Sequence, residues 1–154
     1  MADEGSKRKF AAILIADVKG YSRLMEEDEE ATIHTITEYR EIIAAQVKQH
    51  EGRVVDSPGD NVLAEFASVV NAINGAIKIQ TEIRKSNTGI QEDRRMEFRI
   101  GINLSDVIEE KERIYGDGVN IAARVEGLAS AGGIAISGTV YEHIKDKLSL
   151  GYHD

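Results

Sequence analysis

Two aspartates and one Asn–Arg pair are the residues of this chain best placed to do chemistry. Asp17 ends the apolar run Phe10-Ala-Ala-Ile-Leu-Ile-Ala16 and precedes the turn Lys19-Gly20-Tyr21-Ser22; Asp60 stands at the tip Pro58-Gly59-Asp60 between two apolar segments. If the first segment lies beside the other two in a sheet, the two carboxylates can meet. Paired hard oxygens suit Mg²⁺, which takes one or two carboxylates and fills its shell with substrate phosphates. The backbone N–H groups of Lys19, Gly20, Tyr21 and Ser22, opening a helix, would face the same phosphates. The plain alternative is two turn aspartates that only cap backbone groups, since Asp is common in turns. Asn120 and Arg124 are four apart, so on a helix they share one face. An amide and a guanidinium presented together can clamp a ribose and a phosphate; alone, such a pair is more often a solvated face.

The elements that must position these residues can be read from periodicity. Phe10–Ala16 reads as a buried strand, with Ser22 as N-cap of a helix beyond the turn. From about Asp28 to His50, Ile33, Ile36, Ile43 and Val47 form one helical stripe, and Gly52 is a natural stop. Arg53–Val55 and Val62–Phe66 read as a hairpin joined by Asp56–Asn61. A second helix is expected over Ser68–Lys85, a polar loop over Ser86–Arg95, and a strand over Met96–Ile108. The chain then reads as a helix over Gly116–Ala129, a short strand Ile134–Ile136 and a last helix Thr139–Lys147. The pattern predicts an α+β fold: a ferredoxin-like antiparallel sheet with helices packed on one face. Residues 1–9 read as a flexible polar tail and 10–154 as one domain. His34, His50, His143 and His153 have no ligand spacing and read as surface or helix residues.

Composition narrows the partners. The chain has 154 residues, 19 Lys and Arg against 27 Asp and Glu, and a net charge of −8, which argues against a nucleic-acid backbone or an anionic membrane as partner. The absence of cysteine excludes a disulfide framework, a thiolate zinc site and a cysteine nucleophile. No apolar run approaches the roughly 20 residues of a membrane span, and a cytoplasmic location is expected.

Four segments occur together: Ala12-Ile-Leu-Ile-Ala-Asp-Val-Lys-Gly-Tyr-Ser22, Gly52-Arg-Val-Val-Asp-Ser-Pro-Gly-Asp-Asn-Val-Leu-Ala-Glu-Phe66, Phe98-Arg-Ile-Gly-Ile-Asn103 and Ile114-Tyr-Gly-Asp-Gly-Val-Asn-Ile-Ala-Ala-Arg124. In order and spacing they resemble the catalytic domain of class III nucleotidyl cyclases, the adenylate and guanylate cyclases. The resemblance implies a head-to-tail homodimer with active sites between subunits. It places Asp17, Val18 and Asp60 in the metal set for two Mg²⁺ or Mn²⁺ ions. Lys19–Ser22 fall at the substrate phosphates, and Asn120 and Arg124 supply the transition-state pair from the other subunit. The implied reaction is attack of the ribose 3′-oxygen on the α-phosphate of a nucleoside triphosphate, ATP first, with loss of pyrophosphate.

The chain departs from that pattern at the base. The family's adenylate cyclases read it with a Lys four residues before the second metal aspartate and with an Asp or Thr ahead of the Ile-Tyr-Gly; here those positions are Asp56 and Arg113. Three readings stay open. The pair reads a base with exchanged polarity, or pairs with itself and holds the base loosely, or belongs to a catalytically silent nucleotide-binding or dimerising module. The chain also stops at Leu150-Gly-Tyr-His-Asp154, where the family adds a strand pair with a triphosphate-binding lysine. A ferredoxin-like RNA binder is disfavoured by the charge and by the lack of stacking aromatics.

Overall fold

The computed structural model describes residues 6–56 and 60–152, with the backbone alone of Asp56. Its centre is β1 (Ser6–Val18), buried without interruption from Ala11 to Ala16, so both sides of this strand need cover. Residues 6–9, expected to fray, instead pair with β4 (Phe98–Glu110) from Ser6↔Glu110 onward. The hairpin β2 (Gly52–Asp56) and β3 (Asn61–Phe66) lies on the other side of β1. The order is β2-β3-β1-β4-β5, neighbours antiparallel, with β5 (Arg113–Tyr115) at the far end of β4. β6 (Ile134–Ile136) runs parallel to the start of β4.

Five helices accompany the sheet: α1 (Tyr21–Glu27), α2 (Glu29–Gln49), α3 (Val69–Asn87), α4 (Asp117–Glu126) and α5 (Gly138–Ile144). Ala12, Leu14 and Ala16 of β1 face α2, α3 and α5 in one core, which includes Ile43, Ile79 and Val140. Ala11, Ile13 and Ile15 face the other way, with Val107, Ile114 and Ala122 of α4. The α+β sheet with packed helices is as expected; the placing of all helices on one face is not, because α4 covers the second apolar side of β1. Among the described residues no helix is long and apolar enough to cross a membrane.

Local details correct three expectations. Ser22 is not the cap of α1: Gly20 occupies that position in the left-handed region (φ 69°), which has no side-chain cost for glycine. Asp28 and Ser68 do cap α2 and α3, accepting from Ala31 N–H and Asn71 N–H at 3.1 Å each. α2 ends before Gly52, and the positive φ there (63°) belongs to Glu51. Gly52 is needed for another reason: a Cβ there would collide with the Phe66 ring. Ile33 is 47% exposed, so the buried stripe of α2 runs through Ile36, Tyr39, Ile43 and Val47. The loop after α3 contains a 3₁₀ turn, Glu92–Arg94, and buried Asn87 ties it down, donating to Met96 O at 3.0 Å and accepting from Tyr39 Oη at 2.7 Å.

Candidate active site

The pairing of the strands brings the first two candidates together. Asp17 lies opposite Asn61 across β1–β3, one residue from Asp60, and the two aspartate side chains share a hydrogen bond. Burial, then the hydrogen bond and charge of Asp60, then the charge of Glu126 push the Asp17 carboxyl up to about 7, against the pull of the Val18 N–H. Two carboxylates in contact favour one proton between them unless a cation takes its place. Their hard oxygens fit Mg²⁺ or Mn²⁺ by chemistry. Among the described residues no group of three or more His, Asp or Glu is gathered to hold an ion by itself.

Two further residues stand here that sequence reading passed over. Arg99 is the β4 partner of Asp17 in register, and its buried Nε has no hydrogen-bond partner. Glu126, 8% exposed at the end of α4, shares a hydrogen bond with Asp17. Burial pushes the Glu126 carboxyl up, while Arg99 draws it down. Neither follows from local spacing. A charged Arg99 between Phe98 and Ile100, in a strand buried on both sides, was the available signal for the first; only the packing of α4 reveals the second.

The α1 turn offers fewer amides than expected. Lys19 N–H donates to Glu97 O at 2.9 Å and is committed there. Leu24 N–H, bonded to Gly20 O at 3.1 Å, is the first to close within α1, so the Tyr21 and Ser22 amides precede the helix's own hydrogen bonds.

Asn120 and Arg124 do not join the aspartates of their own chain. α4 turns Gly118, Ala122 and Glu126 to the sheet, all buried. At ~100° per residue, Asn120 and Arg124 stand on the opposite side, and both are exposed. A Cβ at position 101 would collide with the Glu126 backbone, so glycine there lets α4 lie close on β4. Asn103 fixes its other end, donating to Gly118 O at 3.0 Å. Arg113 is exposed on β5. Asp56 pairs by backbone with Leu63 after a register shift from Val54; its side chain, like Ser57–Gly59 of the turn, lies outside the described residues.

Comparison with known proteins places the chain in a family. The chain is similar along its full length to a "Putative adenylate cyclase 3" of Rhizobium meliloti (strain 1021), 44% identical, while spanning only 27% of that relative's length. The adenylate/guanylate cyclase/hydrolase structure from Silicibacter pomeroyi superposes with a TM-score of 0.90 at 36% identity, over 97% of this chain and 87% of that one. The guanylyl cyclase Cya2 structure does so with a TM-score of 0.79 at 25% identity, covering 90% and 79%. Residues 6–153 match the model of the adenylate and guanylate cyclase catalytic domain, and the chain belongs to that family.

Proposed function

We propose that this domain converts a nucleoside triphosphate, ATP in preference to GTP, to its 3′,5′-cyclic nucleotide and pyrophosphate, producing an intracellular signal at sites shared by two copies packed head to tail. One observation carries the reading: Asp17 and Asp60 meet on one side of the chain, whereas Asn120 and Arg124 face away from them. In this reading each copy presents two halves of a site, and a second copy completes it.

In that site Asp17 and Asp60, with Val18 beside them, would hold two Mg²⁺ or Mn²⁺ ions, which lower the pKa of the ribose 3′-OH and neutralise the triphosphate. Arg124 of the second copy would meet the charge that develops on the α-phosphate, and Asn120 would orient the ribose. The amides of Tyr21 and Ser22, with Gly20 and the Lys19 side chain, would border the phosphate tail, and Arg99 adds a cation on the same side as Asp17. Asp56 can accept from an exocyclic amine and Arg113 can donate to a ring nitrogen or carbonyl.

Incubating the purified protein with each nucleoside triphosphate and Mn²⁺, with products identified by mass, tests this. Cyclic AMP as the main product is expected. Absence of any cyclic product from protein shown to dimerise would leave the silent nucleotide-binding module in its place.

A further inference from the structure

At the end of the sheet away from Asp17, one arginine ties together strands that the sheet order sets apart. β2 and β5 are the outermost members of the order β2-β3-β1-β4-β5. Even so, Arg53 of β2 donates through Nη1 to the backbone oxygen of Glu112, between β4 and β5, at 2.8 Å. Its Nη2 donates to Glu65 Oε1 at 2.9 Å and to Glu109 Oε2 at 3.0 Å, and its Nε to Glu65 Oε1 at 3.2 Å. Lys9 Nζ meets the same two carboxylates at 2.6 and 3.1 Å. Glu65 is 7% exposed, so the anchor of this grip is buried.

What Arg53 grips is a strained turn. Glu110 and Arg113 pair across a two-residue loop, Lys111–Glu112, whose φ angles are 53° and 68°. Two positive φ angles are the type I′ arrangement, which favours Asn-Gly. Lys and Glu both carry a Cβ that disfavours it. Such backbone persists where its surroundings over-determine it. The next residue along the chain is Arg113, and three residues beyond Arg53, past the register shift, is Asp56.

We propose that Arg53 is a positioning residue for nucleobase choice: by holding Glu112 O against β2 it sets the place of Arg113 relative to the strand that carries Asp56. This rests on the base-reading role proposed for Asp56 and Arg113. Arginine is required because its planar fork serves two carboxylates and a carbonyl at once, which an ammonium on a flexible stem does not reproduce.

The test compares Arg53→Met, Arg53→Lys and Arg113→Ala in the full chain. Two quantities are read: the ratio of ATP to GTP affinity, by competition binding in Mn²⁺, and hydrogen exchange of the amides of residues 111–115. Arg113→Ala and Arg53→Met should each shift the affinity ratio by about tenfold, the range of one lost charged hydrogen bond. Exchange over 111–115 should quicken in Arg53→Met, and Arg53→Lys, which keeps the charge, should resemble it in both readouts and serves if the Met variant fails to fold. A ratio moved by Arg113→Ala but not by the Arg53 variants overturns the positioning role and leaves the base-reading role standing. A ratio moved by neither, or an unaltered protein that does not discriminate ATP from GTP, removes the base-reading role and this proposal with it.

Discussion

The sheet face under α4 gathers carboxylates at both ends and treats them in opposite ways. At the Lys9 end, Glu65 meets two cations and Glu109 three, and the hydrogen bond and charge of Lys9, with help from Lys7, hold the Glu109 carboxyl below its usual range. At the Asp17 end, Asp17 meets Asp60 and Glu126, and its carboxyl is pushed up to about 7. Burying like charges together is unfavourable, and pairing them is the ordinary remedy. The chain applies that remedy at one end, and at the other sets Arg99 against three carboxylates. The first end is built to hold strands together; the second fits the cations proposed to arrive with a substrate.

Removing a carboxylate from each end should therefore have opposite signatures. Asp17→Asn is expected to lower turnover by ~10³-fold or more, since the proposed metal-holding pair is broken, while the protein stays folded. An Asp17→Asn protein with near-normal turnover would put the two ends on a par. Mixing Asp17→Ala with Arg124→Ala protein should restore about a quarter of normal activity per chain, as half the dimers are mixed and each holds one intact site. Mixed dimers shown to form but without activity would rule out a shared site.

Glu65→Ala should instead act on stability. Losing a buried partner of Lys9 and Arg53 should cost about 2–4 kcal/mol, read by urea unfolding. In a metal chelator, pH should separate the ends further. The Asp17 carboxyl rises from 3.8 to about 7 on folding, so the folded state keeps a proton that the unfolded chain releases. Its contribution to stability is fully present below pH 4 and declines as pH rises to about 7. Asp17→Asn should flatten that part of the curve; identical slopes in the two proteins would mean that Asp17 is not crowded. The smallest effect belongs to Lys7→Ala, whose side chain is 71% exposed beside Glu109, and stability should stay within about 0.5 kcal/mol.

Much of this contrast is legible in the chain itself. Asp17 and Asp60 can be singled out because a strand end and a turn tip are local features, and the antiparallel register of β1 and β3 then joins them. The places that Arg99 and Glu126 take beside Asp17 are not legible. One depends on the pairing Asp17↔Arg99 between distant parts of the chain, and the other on which face of the sheet α4 takes. The side taken by α4 does have a signal: six consecutive buried residues in β1 leave no polar side for solvent, and that apolar run is visible in the sequence. Ser22 reads as a cap because it has a capping side chain, whereas Gly20 turns the backbone without one. Gly52 reads as a helix stop, when the Phe66 ring is what excludes a side chain there.

Gly101 bears on how such a chain can vary over generations. The helix it admits carries Glu126 on the side of its own Asp17 and Arg124 on the exposed side, proposed to meet a second copy. A heritable change that added even a methyl group at position 101 would displace both at once, and in an assembly of two identical chains it would do so at every site. Inheritance could not adjust one half of the chemistry through that position and spare the other. Outward positions such as Ala123 and Leu128, free of the sheet, are where tuning could proceed one step at a time.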